Sequence, residues 1–210
     1  MKKRIKLFSS ALAIGMLLGT GVGSLPAVTQ QEPGTTMVAK ASTSQVPLTA
    51  DQLEINDDGL IIGIKNNDSN ADVIEALENG NLTIPKEIKI NGGPPVPITG
   101  IGAGVFSKEN LIAIFDPEGF ECLKTVTFED DSQISYIGEH AFENNQLTDV
   151  ALPESVKVIS IYAFQNNQLQ NVKLNAIEYL YGRAFAGNKI KTVSINKDYE
   201  NFLGMGISVN

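Results

Sequence analysis

Apolar positions in the second half of the chain keep fixed offsets from three phenylalanines, Phe142, Phe164 and Phe185, spaced 22 and 21 residues apart. Five residues before each stand Ile137, Ile159 and Leu180, and eight before stand Ile134, Val156 and Ile177. Five after stand Leu147, Leu169 and Ile190; eight after, Val150, Val172 and Val193; ten after, Leu152, Leu174 and Ile195. Ala141, Ala163 and Ala184 precede the aromatic ring, and Asn145, Asn167 and Asn188 follow it by three. Such a period with an L-x-x-L-x-L core predicts stacked leucine-rich units. The eight-and-five spacing recurs upstream at Ile98, Ile101 and Phe106. Its strand half returns at Leu123, Val126 and Phe128, after an extra stretch near 107–118 that contains NLIAIF. Phe120 also lies 22 residues before Phe142, which leaves the edge of that insertion open; about four units result.

The period of two at Val150 and Leu152 predicts a short strand with these side chains inward and their neighbours outward. Stacking pairs such strands in parallel. The outward residues, Thr125, Thr127, Asp149, Ala151, Asn171, Lys173, Thr192 and Ser194, then line a concave sheet and form the candidate ligand-binding face. Each Ala-Phe pair predicts a short helical or turn segment on the convex side, its ring filling the coil interior. The recurring Asn is expected to satisfy turning backbone from coil to coil, a better account than a glycan or ion site.

A stack exposes apolar ends, so both termini need covering. Residues 51–97 read as an N-terminal α+β cap. Asp58-Gly59 between apolar runs predicts a hairpin, and SNADVIEALENG predicts a helix capped by Ser69 or Asn70 and stopped at Gly80. At 198–210, Met205, Ile207 and Val209 alternate like a closing strand. The expected fold class is an α/β repeat solenoid: a short leucine-rich-repeat stack over 98–197 with a parallel concave sheet, between the N-terminal cap and a C-terminal capping strand.

IGEHAFENNQLTDVALPES, from Ile137, resembles the BspA-type bacterial surface leucine-rich repeat, whose unit reads roughly I-x-x-I-G-x-x-A-F-x-x-x-x-L-x-x-V-x-L-P-x-S. The next two units match with Ser160 and Tyr181 in place of Gly and Asn175 in place of Pro. LTIPKEIKINGGPPVPITGIGAGVF is similar to the extended segment that leads into the first AF of such proteins. The resemblance covers about residues 82–197. It implies an exported or surface-attached bacterial protein that adheres to or binds other molecules.

Lys2, Lys3, Arg4 and Lys6 precede an uncharged apolar run from Leu7 to about Val28. That is the form of a secretory signal peptide over 1–27, since Gly19, Gly21, Gly23 and Pro26 interrupt a spanning helix. Ala39-Lys40-Ala41 offers a later cleavage at 41, and 28–50 reads as a flexible leader. Cleavage after Ala41 leaves 11 basic against 23 acidic residues, more acidic than the −8 of the whole chain. Such a surface makes nucleic acid and anionic membrane poor partners. A single cysteine, Cys122, excludes an intramolecular disulfide and reads as a small semi-buried hydrophobe. With no LPxTG-like signal after residue 197, the expected location is secreted or loosely cell-surface associated.

Catalytic motifs are weak. His140, the lone histidine, aligns with Tyr162 and Arg183 in a variable slot without a second His or Cys nearby. Gly100, Gly102 and Gly104 lack the basic residue of a phosphate loop. Asp68-x-Asn70-x-Asp72 departs from an EF-hand at its sixth and twelfth positions. Glu129, Asp130 and Asp131 cluster at a turn, and Glu118 and Glu121 flank Phe120, so a carboxylate pair about 5–9 Å apart defines the enzymatic alternative, a secreted glycan-active enzyme. The leading expectation is an exported non-catalytic protein, without metal or cofactor, that binds a protein or cell-surface macromolecule through the concave strand face. A purely structural module of a surface assembly is the third reading. The 107–118 insertion is either a contact loop or folded onto the convex face, the latter slightly favoured.

Overall fold

The computed structural model describes residues 47–65, 77, 79–114, 122–174 and 176–195, all within the unit Ser42–Asn210. The signal peptide, most of the 28–50 leader, most of the cap helix, Glu118, Phe120, Glu121 and the 198–210 strand lie outside them.

The chain turns back on itself once per repeat, and two series of short strands result. β1 (Leu53–Ile55) and β2 (Leu60–Ile64) form an antiparallel hairpin. At its turn the Asn56 side-chain oxygen accepts the Asp58 and Leu60 N–H groups, and Gly59 takes φ +80°. β2 then begins a parallel array with β6 (Gly100–Ile101), β8 (Tyr136–Ile137), β9 (Val158–Ile159) and β11 (Tyr179–Leu180), completing a six-stranded sheet. Ile61, Ile101, Ile137 and Ile159 stand in one cross-strand row and are fully buried.

The second series is the predicted strand of the L-x-x-V-x-L half. β3 (Asn81–Ile84) pairs in parallel with β7 (Thr125–Phe128), Val126 bridges to Val150, and β10 (Asn171–Lys173) pairs with β12 (Thr192–Ser194). Between β3 and β6 the antiparallel pair β4 (Glu87–Lys89) and β5 (Pro95–Pro97) leaves the coil and returns, its base closed by the Ile98 N–H donating to Lys86 O at 2.8 Å.

These strands revise the expected class in three ways. The fold is mostly strand. The Ala-Phe segments take the turn form of the helical or turn segment expected there, with Glu143 N–H on His140 O at 3.1 Å and Gln165 N–H on Tyr162 O at 3.0 Å. A helix of several described residues appears only in the insertion, as α1 (Lys108–Ile114). The concave sheet is in pieces. The rung that Glu129 N–H makes to Ile84 O at 3.1 Å has no counterpart at Pro153, which carries no N–H. Beyond β2 the continuous sheet is instead built from two-residue strands of the I-x-x-I segment, too short to announce themselves by alternation. Finally, β2 and β3 supply both strands of a further unit in the repeat frame, without the Ala-Phe marker.

Phe106, Phe142, Phe164 and Phe185 stack face to face through the interior, centroids 5.5, 5.2 and 5.2 Å apart, each no more than 1% exposed. Phe106 therefore occupies the first aromatic slot. Around the column lie Ile98, Ile134, Val156 and Ile177 on one side and Leu123, Leu147, Leu169 and Ile190 on the other, all buried. Burying one such ring contributes about 1.5–3 kcal/mol, and the aliphatic side chains around the column contribute alike, so each coil is tied to its neighbours through this shared interior.

Candidate functional site

With Val126, Val150 and Val172 turned inward, the residues on either side point out and form two columns. Asn81, Thr125, Asp149, Asn171 and Thr192 make the first; Thr83, Thr127, Ala151, Lys173 and Ser194 make the second. All eight residues expected on this face are on it, exposed or half-buried. Asn81 and Thr83 escaped the periodicity because their coil lacks the Phe that sets the frame. Side chains join along the columns. Thr125 Oγ1 donates to Asn81 Oδ1 at 2.7 Å, the Thr83 and Thr127 hydroxyls meet at 2.9 Å, and Thr192 Oγ1 donates to Asn171 Oδ1 at 2.5 Å. Asp149 and Lys173 put one charge of each sign on this otherwise neutral face.

The recurring Asn is structural. Asn167 Oδ1 accepts the Leu147 N–H at 3.0 Å, and its Nδ2 donates to the carbonyls of Phe142, Phe164 and Gln165 at 2.9–3.2 Å. Asn145 holds Leu123 N–H and the carbonyls of Phe106, Phe142 and Glu143 in the same way, and Asn188 holds Leu169 N–H and those of Phe164, Phe185 and Ala186. Asn145 and Asn167 are 4% exposed and offer nothing to a ligand. The preceding residues form an outer polar ladder, Asn166 Nδ2 donating to Asn144 Oδ1 at 2.7 Å and Asn144 Nδ2 to Glu109 Oε1 at 2.6 Å.

A second outward feature lies at the corner that follows the six-stranded sheet. His140, Tyr162 and Arg183 occupy one slot with φ of 55°, 60° and 60°, where the first unit has Gly104 at 65°. A left-handed non-glycine residue costs roughly 1–2 kcal/mol. The rings of His140 and Tyr162 stack at 4.9 Å, and Arg183 Nη1 donates to the Tyr162 hydroxyl at 3.5 Å. His140 lies between Glu143, at 2.5 Å from Nδ1, and Glu139, at 3.3 Å from Nε2. Two residues before Arg183, Tyr181 is 52% exposed, and Tyr179 is 60% exposed. Sequence spacing gave His140, Tyr162 and Arg183 no role, since their slot has no repeated residue type.

The remaining candidates sit apart. In α1, Leu111 is fully buried and Ile114 packs on the core, so this part of the insertion is folded onto the body. Cys122 is buried with a free thiol. Glu129, Asp130, Asp131 and Glu154 border an open notch beside Phe128 and Ser132, and Glu129 Oε2 is engaged by the Lys86 N–H at 2.9 Å.

Parallel strands contributed one per coil, an unbroken aromatic column and an Asn ladder define a leucine-rich-repeat protein. The family model for the BspA type leucine rich repeat region matches residues 99–204 in six copies, half of the 210-residue chain, and the protein belongs to that family. The model divides the region more finely than the four units that periodicity gave. Neither a curated protein nor a solved structure shows significant similarity to the chain. Leucine-rich repeats of this family are protein-interaction modules of typically surface-located bacterial proteins, and typically non-catalytic. Among the described residues no helix is long and apolar enough to cross a membrane.

Proposed function

We propose that the protein is an exported, non-catalytic adhesion-type module, built as a short solenoid, that binds a protein or cell-surface macromolecule through the two polar columns of the L-x-x-V-x-L strands. The observation that carries this reading is the join of side chains along those columns. Hydroxyls and amides of β3 and β7, and of β10 and β12, are pre-positioned by these joins, so a partner meets an ordered polar surface there at low entropic cost. Lacking Trp or Arg anchors, the face is expected to bind modestly per site and to rely on several sites acting together. The N-terminal basic and apolar run directs export, and the acidic surface keeps the released protein away from nucleic acid and anionic lipid.

The test is capture of extracellular-matrix proteins and cell-wall fractions on the immobilised protein, comparing wild type with the triple variant Asp149→Ala, Asn171→Ala, Lys173→Ala. The variant is expected to lose at least tenfold in captured partner while its thermal midpoint stays put, because the three side chains are exposed. Equal capture by both proteins refutes the assignment of this face.

A further inference from the structure

Asn-Gly occurs twice in the chain, at Asn79-Gly80 and Asn91-Gly92, and Asp-Gly once, at Asp58-Gly59. Asparagine is a chemically labile side chain, and a glycine after it leaves its own backbone nitrogen unshielded because it has no Cβ. The fold treats the three junctions differently. Gly80 is buried, its N–H donates to Leu77 O at 2.8 Å, its carbonyl accepts the Lys124 and Thr125 N–H groups, and a Cβ on it would lie 2.9 Å from Cys122 O. Gly59 N–H donates to Asn56 O at 3.0 Å, and the Asp58 N–H is held by the Asn56 side chain. At both junctions the glycine nitrogen is already engaged.

Asn91-Gly92 is the tip of the β4–β5 hairpin. Asn91 at φ 50° and Gly92 at φ 71° are the central residues of a turn closed by the Gly93 N–H on Ile90 O at 2.9 Å, and two left-handed residues in succession make it type I′. Both residues are exposed, and a Cβ on Gly92 would meet nothing within 4 Å. The turn bond uses the nitrogen of Gly93. Among the described residues, the Gly92 N–H and the Asn91 amide have no partner. We propose that Asn91 is a site of spontaneous deamidation in the folded protein. The Gly92 nitrogen, losing its proton to base, forms a bond to Asn91 Cγ; the Cγ–Nδ2 bond breaks and its nitrogen leaves as ammonia. Water opens the resulting succinimide at either carbonyl, giving aspartate or isoaspartate, with no oxidant or reductant required. Each molecule gains one negative charge, and the isoaspartate product lengthens the turn by one backbone atom. The Ile98 N–H on Lys86 O closes the base of the hairpin at 2.8 Å, so the change stays at the tip.

The experiment incubates the purified full chain at mildly alkaline pH and physiological temperature, folded and in denaturant. Digestion at mildly acidic pH then precedes peptide mass spectrometry and enzymatic methylation of isoaspartate. In the folded protein the peptide carrying Asn91 is expected to gain one mass unit at least tenfold faster than the peptide carrying Asn79. In denaturant the two rates are expected to converge, because the hydrogen bond and the close contacts that protect Gly80 are gone. Asn91→Gln, whose longer side chain would have to close a six-membered ring, is expected to remove the isoaspartate signal from the folded protein. The inference is overturned if Asn91 stays intact in the folded protein while it converts in denaturant, or if Asn79 in the folded protein converts as fast as Asn91. It also fails if the folded Asn91→Gln variant forms isoaspartate as fast as wild type.

Discussion

Replacing Asn167 probes the link between coils most directly. In Asn167→Ala the carbonyls are expected to suffer little, because each keeps another donor: Phe142 O from Asn145, Phe164 O from Asn188, and Gln165 O from the Asn144 N–H at 2.9 Å. The Leu147 N–H is different. It is buried and bonded to Asn167 Oδ1, so truncation leaves it unsatisfied. One orphaned buried donor costs about 1–3 kcal/mol, or a fall of about 2–12 °C in thermal midpoint for a chain of this size. Asn167→Asp separates the two halves of the amide. It preserves the acceptor for Leu147 but sets a carboxylate oxygen 2.9–3.2 Å from three carbonyl oxygens, and an unpaired buried charge costs more than a missing bond. The Asp variant is therefore expected to be less stable than the Ala variant at neutral pH. A carboxylate in that position titrates above its unfolded value, so its penalty is relieved as pH falls through the window between the two. Denaturant unfolding followed by circular dichroism, at neutral and mildly acidic pH, reads both effects. An Ala variant within about 0.5 kcal/mol of wild type, or an Asp variant as stable as wild type, would refute the ladder as a connection between coils.

Two further outcomes follow from packing. Phe164→Ala removes the ring stacked at 5.2 Å on both Phe142 and Phe185 and should cost about 3–5 kcal/mol in the same assay; a loss under about 1 kcal/mol would mean the coils are not held by the column. Gly138→Ser installs the residue that the next repeat carries at Ser160, yet a Cβ at Gly138 would lie 2.6 Å from Gly102 C and 2.8 Å from Ala103 N. It should destabilise by about 1–3 kcal/mol although the repeat pattern accepts serine, and a neutral result would show that the coils of Gly102 and Gly138 can move apart.

The interior was legible in the linear chain because burial repeats when coils repeat. Every residue at offsets of minus eight, zero and plus five from Phe142, Phe164 and Phe185 is buried as spaced, since a place that water does not reach favours an apolar side chain unless backbone groups are there to pair with a polar one. The Asn at plus three was legible for the same reason, as its partners are backbone groups that recur in each coil. The exposed strand face followed from pleat alone. Other features depend on contacts between residues far apart in sequence, which leave no period of their own. Beyond β2 the six-stranded sheet is made of two-residue strands whose mark is a pair of aliphatic residues three apart. The unit of β2 and β3 is recognised through the pairing of Leu82 with Val126, 44 positions later, because it has no Phe to set a frame. One missing rung of the strand face comes from the imino acid Pro153. The corner where His140 meets Tyr162 and Arg183 joins residues that differ in every unit, so only folding could show that three unlike side chains form one surface.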